Sequence, residues 1–524
     1  MIKRLLYIYI LLILAFALPG WGADYYINPD CGTPGDGTTH VCDGGADGPV
    51  DEWSDLTITT GNDYRQLCGT AYNGNISISN SGTSGDYIII GAYNADGSHE
   101  DGGNETFGQN CSGGLTKPRF YGTYDSTDLI VTPDSATSTY IEINSLKLDT
   151  AEYGIRFRSN NNKARYNYIF YVSEGIEAGC YGDNGGDSNL IEYNLIDLDD
   201  QDDETAPSGG DCFQVCGDSN TFQYNHCTGS DHGGVQHQNG TNNTTQYNYF
   251  YESSTHEDFC IGFNYNSDSN IIRFNYCKNH GQGIEIYGGD SNEIYGNVLS
   301  CNNAKHPRSD QGCIDILSYT DASYDSSNNL IYNNTIYDND NNSNNHGIKL
   351  SAIDGGLGDV IGNKIYNNAI KKVGGECIFV VDTEGLVSGY EFYNNICDDY
   401  NQDADGHTFA EIEGSNYTAT QLNSQSYAGD NYDDNPDFKN PASDEFWPTS
   451  TADGVVANAG YDLGDSYDDL LDPDITNHTA SPPSVTIEAQ EDQHPTWIIG
   501  AYGLEGDGTN ANIQGVSFQG VSIN

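Results

Sequence analysis

The chain has 524 residues, with 77 Asp and Glu against 19 Lys and Arg, for a formal charge of -58. That balance excludes nucleic acid as a partner, because phosphate binding rests on clustered Lys and Arg that release counterions. Only 18% of residues are charged, however, 36% are hydrophobic and 39 are Tyr, so the chain can bury a core and is not an acidic disordered tail.

Taken in chain order, the first element is a secretory signal peptide over residues 1–22. It has a basic start (Lys3, Arg4), an apolar run from Leu5 to Leu18, and the breaking and small residues Pro19, Gly20, Gly22 and Ala23. The run is too short for a good membrane span, so no span is expected after cleavage, which leaves a charge of about -60 on an exported chain. In that compartment the 14 Cys read as disulfide candidates. Cys31 with Cys42, Cys68 with Cys111, and Cys301 with Cys313 are local pairing candidates; spacing leaves the rest of the connectivity open.

From Asn162 one pattern recurs, N-x-Φ-x-x-N-x-Φ with Φ apolar: NKARYNYI at Asn162, NLIEYNLI at Asn189, NTFQYNHC at Asn220, NTTQYNYF at Asn243, NIIRFNYC at Asn270, NEIYGNVL at Asn292, NLIYNNTI at Asn329 and NKIYNNAI at Asn363. YEFYNNIC at Tyr390 is a further copy without the first Asn. Between the copies lies G-Φ-x-Φ or C-Φ-x-Φ, from GIRF at Gly154 through CFQV at Cys212 and GIEI at Gly283 to CIFV at Cys377. A unit of two or three short period-2 strands and Asn/Gly/Asp turns cannot bury its apolar positions alone, whereas stacked coils can. The second Asn of each copy predicts an asparagine ladder at a turn, and the Tyr or Phe beside it (Tyr166 through Phe274 to Tyr393) predicts an aromatic column stabilised by stacking.

These residues resemble the right-handed parallel β-helix (pectin lyase-like) superfamily, the architecture of pectin and alginate lyases and polygalacturonases. YYINPDCG at Tyr25 and STYIEINSLKLD at Ser138 look like opening coils of bacterial secreted β-helix repeat proteins, and TWIIGAYGLEG at Thr496 looks like their closing segment. The resemblance implies an all-β solenoid of about a dozen coils. Its parts are an N-terminal cap and first coils over 23–135, a regular helix over 136–400, a closing region of the same domain over 401–503, and a linker and tail over 504–524.

In the G-Φ-x-Φ strand the residue between the two Φ positions points outward. The outer column is therefore Arg156, Glu177, Gln214, Gln236, Gly262, Glu285, Asp315, Lys349 and Phe379. Just before these strands come Asp211, Asp231 with His232, His256 with Glu257 and Asp258, His280, Asp310 and His346. Adjacent coils lie about 5 Å apart and alternate coils about 10 Å, so carboxylate pairs on them suit the two geometries of glycoside hydrolysis. Asp211 and Asp258, with His232 between them, fit the wider spacing; Glu285 and Asp315 fit the closer. We expect Asp211, His232, Asp258, Glu285 and Asp315 as catalytic residues, Gln214, Gln236, His256 and His280 as substrate-binding residues, and Asp231 and Glu257 as metal ligands.

GGDCFQV at Gly209 followed by CTGSDHGGVQ at Cys227 is similar to the polygalacturonase segments D-D-C and G-H-G. Asp211 matches the second Asp and His232 the His, while Gly210 stands in place of the first Asp. The expected function is hydrolysis of an extracellular polysaccharide; the residues assign no cofactor, and Ca²⁺ is left open as one. A Ca²⁺-dependent polyuronate lyase is the alternative enzyme, disfavoured by scarce cations and the strong negative charge. A non-catalytic surface or matrix scaffold is the alternative outside catalysis.

Overall fold

The computed structural model describes residues 22–502 except 101–106, 124–125, 136, 181–184, 199–209, 231, 253–258, 302–310, 319–323, 339–344, 353–356, 372, 399–407, 437, 449–459, 464–468, 472–475, 477–478, 481–482, 486 and 490–498. The signal-peptide expectation and the last 22 residues fall outside that set. No helix among the described residues is long and apolar enough to cross a membrane.

The chain is an all-β solenoid of stacked parallel strands. One 14-stranded parallel sheet begins with Asp24–Ile27, Asp63–Leu67 and Ile88–Tyr93, continues through Lys163–Arg165 and Leu190–Glu192, and ends with Ala428–Gly429. Coils thus start to stack at Asp24, well before the regular repeat. The other walls form a second parallel sheet that turns a corner. Lys147–Phe157 and Tyr168–Ala178 run round it without a break, whereas later coils divide it into a short strand such as Leu195–Asp197 and a longer one such as Asp211–Val215.

The apolar positions face one continuous core. Ala164, Ile191, Phe222, Thr245 and Ile272 pair in register along the first sheet, all fully buried. Burying each Ile or Phe contributes about 1.5–3 kcal/mol, but only because the next coil covers it.

The G/C column explains itself at the corner, where two successive residues face inward and a side chain meets the neighbouring coil. A Cβ on Gly234 would stand 2.7 Å from both the Cys260 carbonyl oxygen and Phe250 Cδ1, and one on Gly283 would meet the Cys313 carbonyl and Leu299. Where the next coil presents a large residue the corner is Gly, except at Cys313, which bonds Cys301 of its own coil. Where the next coil presents Cys the corner is Cys, and the two bond: Cys212–Cys227, Cys260–Cys277 and Cys377–Cys397. The three pairs expected from spacing are present, as is Cys180–Cys216, and no cysteine is free. Seven cross-links of this kind fit an oxidising, extracellular or periplasmic compartment. Replacing both Cys260 and Cys277 by Ser is expected to lower stability by about 2–4 kcal/mol, read from the denaturant midpoint.

The second Asn of each repeat forms the expected ladder. Asn225, Asn248, Asn275 and Asn297 each donate both a backbone N–H and a side-chain N–H to Oδ1 of the Asn on the next coil, at 2.9–3.1 Å. The first Asn makes a second ladder that the pattern alone did not suggest: Asn162, Asn189, Asn220 and Asn243 each donate a backbone N–H to the next one's Oδ1.

The aromatic column departs from expectation, because it is two columns. Tyr166, Tyr193, Tyr224, Tyr247 and Phe274 occupy the left-handed turn position, with φ between 54° and 60°. From the sixth regular coil that position is Gly296, Asn333, Asn367 and Asn394. Tyr295, Tyr332, Tyr366 and Tyr393 sit one residue earlier, in register with Arg273 rather than Phe274. The early rings stack face to face, as Tyr166 on Tyr193 at 5.1 Å and Tyr193 on Tyr224 at 5.1 Å. Their faces are therefore covered by one another, as the stabilising role requires.

The closing region does more than end the helix. Phe438, Phe446, Leu470, Leu471, Ile499 and Tyr502 pack along the outside of Tyr249, Tyr276, Val298, Tyr337 and Ala369. Asp444 anchors it by accepting from the Tyr276 hydroxyl at 2.8 Å and from Lys278 Nζ at 2.6 Å.

Two histidines sit on the coils in apolar surroundings. His237, fully buried, occupies an inward strand position with Nε2 3.2 Å from Thr245 Oγ1, and burial pushes its pKa down to about 3. His226 is likewise pushed down by burial to about 4. Both stay neutral in the fold but take up a proton near pH 6.5 once unfolded. Stability therefore falls as pH drops below 6.5, by about 1.4 kcal/mol per pH unit for each histidine, until the native values are reached. A series of denaturation midpoints between pH 7 and 4 checks this, and His237→Phe is expected to flatten it.

Candidate functional site

The outer column has the expected register. Arg156 pairs with Glu177, Glu177 with Gln214, Gln214 with Gln236, Gln236 with Gly262, Gly262 with Glu285, Glu285 with Asp315, Asp315 with Lys349, and Lys349 with Phe379. Three residues earlier runs a second column in which Asp211 pairs with Gly233, Gly233 with Phe259, and Phe259 with Gln282.

The densest chemistry lies where these columns pass Asp211. Its carboxylate Oδ1 is 3.1 Å from His232 Nδ1 on the next coil, and the Asp211 side chain is 2% exposed against 43% for His232. Asp211 is thus the inner member of the pair and His232 the one that meets solvent. The His232 backbone is fixed on both sides: its N–H donates to the Gly210 carbonyl and its own carbonyl accepts from Phe259 N–H. Gly233 is required here, because a Cβ would stand 2.9 Å from Asp211 Oδ1 and 2.5 Å from the Phe259 ring. That ring also lies edge-on to the imidazole, with centroids 5.0 Å apart.

On the coil below, Glu174 accepts the Asp211 backbone N–H at 3.0 Å through Oε2. Burial first, and then the negative charge of Asp211, hold the Glu174 carboxyl well above the ordinary carboxylate range. Burial also raises Asp211, opposed by its bond to His232. Glu174 was missed from sequence. The signal was there: aligning SEGIEA with GGDCFQV on the Gly175 and Cys212 corner puts Glu174 at the place of Asp211.

Glu285 and Asp315 share a register on successive strands as expected. Asp315 is fully buried and accepts from Gln282 Nε2 and the Gly312 N–H, both at 3.3 Å. Lys349, buried beside it, follows in the same column. His280 is buried, as is Gln236, which accepts from Gln214 Nε2 at 3.5 Å and from Gln238. Asp231, His256, Glu257 and Asp258 lie outside the described residues. Arg156 is turned to structure, bound to Glu177 at 2.9 Å and Asp128 at 3.2 Å.

The turn aspartates have a plain structural role. Asp187 accepts the Asp218 N–H, Asp218 the Thr241 N–H, Asp268 the Asp290 N–H and Asp290 the Ser327 N–H, each on the next coil.

No protein-family model and no curated protein matches the chain. Among solved structures it is similar in fold to the PL6 polysaccharide lyase from Pseudopedobacter saltans, at 13% identity over 73% of this chain and 91% of that one, with a TM-score of 0.42. It is also similar to XylC in complex with xylose, at 9% identity over 75% and 86%, TM-score 0.46. A third is the catalytic domain of a GH87 alpha-1,3-glucanase in complex with nigerose, at 12% identity over 71% and 64%, TM-score 0.44. The chain spans about half the length, 51%, of the PL6 alginate lyase AlyGC, which it also matches.

Proposed function

We propose that the chain is a glycoside hydrolase acting on an extracellular polysaccharide, with proton transfer carried by Glu174, Asp211 and His232. The observation that carries this reading is buried Asp211, whose carboxylate bonds a solvent-facing imidazole and whose backbone N–H donates to the Glu174 carboxyl, raised well above the ordinary carboxylate range by burial and by the Asp211 charge. Glycosidic cleavage needs a proton donor for the leaving oxygen and a base for water. Glu174 supplies the donor, its raised pKa keeping the proton at a pH where an ordinary Glu has lost it. His232 supplies the base: Asp211 fixes the ring through Nδ1 and stabilises the imidazolium formed when Nε2 takes a proton from water. On this reading Asp211 is a positioning residue. Asp258, the expected second carboxylate two coils away, immediately precedes Phe259 in the sequence and is retained as a second candidate acid.

Substrate charge follows from the same groups. Asp211, Glu177 and Glu152 all act electrostatically on Glu174, and Arg156 is bound by two carboxylates, so a neutral glycan fits better than a polyuronate. The test is a polysaccharide panel that records new reducing ends and ultraviolet absorbance together. Reducing ends without absorbance support hydrolysis, both together overturn it in favour of elimination, and neither across neutral and acidic glycans overturns the enzyme reading.

A further inference from the structure

The first coil carries a group of metal-ligand residues with no part in the proposed catalysis. Asp24 heads the strand Asp24–Ile27 and pairs in register with Asp63, which heads Asp63–Leu67. Their side chains therefore leave the same face of the first sheet, about 4.8 Å apart along the stack. The third member arrives from a different element. After Ile88–Tyr93 the chain turns back, a bridge joins Tyr93 to His99, and the His99 imidazole is brought over the two aspartates, with Nε2 3.7 Å from Asp24 Oδ2. One ligand atom from each of Asp24, Asp63 and His99 lies within 4.8 Å of the other two.

We propose that Asp24, Asp63 and His99 form a divalent-metal site of the zinc type that staples the first coil. Ligands 2.0–2.2 Å from a tetrahedral Zn²⁺ stand about 3.4 Å from one another, so the His99–Asp24 pair, at 3.7 Å, needs to close by about 0.3 Å and no pair by more than about 1.4 Å. The side chains involved are 22–43% exposed, which leaves them room for that adjustment and leaves an entry path for the ion. Arg65 Nη2 holds Asp63 Oδ2 at 3.0 Å; a carboxylate has a second oxygen, and a partner on the first fixes its direction. One imidazole nitrogen with two carboxylate oxygens suits Zn²⁺ or Cu²⁺, whereas Ca²⁺ asks for six to eight oxygens. The other group of ligand-type residues in this part of the chain, Cys68, Glu100 and Cys111, is closed to metal by its disulfide.

The site ties together three segments distant in sequence at an end of the solenoid, where the outermost coil has a neighbour on one side only. End coils limit the stability of repeat stacks, so a clamp there acts on the whole helix. It lies on the first sheet, and the Asp211–His232 pair lies on the second, so its fate is independent of the catalytic proposal.

The experiment uses the full chain, stripped with chelator and titrated with ZnCl₂ by calorimetry, with thermal unfolding followed in parallel. The expected result is saturable binding that includes one site whose affinity falls at least tenfold in His99→Ala and in Asp24→Asn, with the zinc-induced rise in Tm lost in both. His40→Ala, which removes a nearby imidazole that is not a ligand, is expected to leave both readouts unchanged. Circular dichroism of each variant without metal separates loss of the site from loss of the fold, and His99→Gln serves if His99→Ala does not fold. The proposal is overturned if no saturable binding occurs, if folded His99 variants bind as tightly as the parent, or if CaCl₂ gives the same Tm rise in parent and His99 variants alike.

Discussion

Replacing Asp211 by Asn lowers the rate of glycan cleavage by about 10²–10⁴-fold while the chain remains folded. The amide keeps the size of the carboxylate and a partner for His232 Nδ1 at 3.1 Å. It removes the charge that stabilises the imidazolium, and its NH₂ can select the ring tautomer that leaves the wrong nitrogen to meet water. The same change has an opposite effect on stability. Glu174 and Asp211 both have raised native pKa values. The folded chain therefore holds protons that the unfolded chain releases between the ordinary carboxylate range and those raised values, and stability is lost as pH climbs through that window. Asp211→Asn removes one ionising group and relieves the other, so its Tm relative to the parent is expected to rise from pH 4 to pH 8. A variant that loses activity and stability together at every pH would mark Asp211 as structural and sink its role in positioning His232. His232→Ala is the companion: it too should abolish turnover, but it strips Asp211 of its partner and is expected to destabilise at neutral pH.

Much of this architecture could be read in the sequence, for reasons that differ by level. The solenoid was legible because every coil repeats the same burial problem, so NLIEYNLI and NTFQYNHC carry one solution at the same places. The outer column from Arg156 to Phe379 was legible because strand parity permits no other assignment once the inward Φ residues are known. The split of the aromatic column was not, since NIIRFNYC and NEIYGNVL differ by moving the ring one place and inserting Gly296, and only the backbone φ distinguishes turn from strand there. The Cys212–Cys227 class of cross-links was hidden because the partner lies on the following coil, 15 residues on, rather than beside it in a turn. At the site, coil spacing suggested Asp211 and Asp258 as the acid and base pair, with His232 between them to position substrate or tune a carboxylate. Exposure assigns the outward position to His232, a fact of depth that no spacing contains.

Asn275→Ala is expected to cost about 3–5 kcal/mol, the largest single-residue loss of stability in the regular helix. The Asn275 side chain donates to the Thr245 carbonyl at 2.8 Å and to Asn297 Oδ1 at 3.1 Å, and its own Oδ1 accepts both the backbone and side-chain N–H of Asn248 at 3.1 and 3.0 Å. Alanine leaves the Thr245 carbonyl and the Asn248 N–H groups buried with no replacement, and water has no route to them. Each such orphan costs about 1–3 kcal/mol, and the total is reduced because Phe274, held at φ 55°, is freed to relax. The partial relief is itself testable. Phe274→Gly, which supplies the residue that Gly296 provides one coil later, makes the turn easier by about 1–2 kcal/mol but empties the site of a fully buried ring packed on Tyr247 at 5.7 Å, a loss of about 3–5 kcal/mol, so it is expected to destabilise by somewhat less than Asn275→Ala. Asn242→Ala, where the side chain is exposed and bonds Thr241 Oγ1 at 3.2 Å, is expected to cost about 1–2 kcal/mol, because Ala lacks the tolerance of Asn for the left-handed φ of 56° there. Denaturant midpoints of the three variants, measured side by side, rank them. Equal losses for Asn242→Ala and Asn275→Ala would show that the stacked amides contribute nothing beyond ordinary turn chemistry. The expected order instead makes the ladder the element that forces aromatic residues into a left-handed turn and fixes the height of every coil, including the two that bring His232 to Asp211.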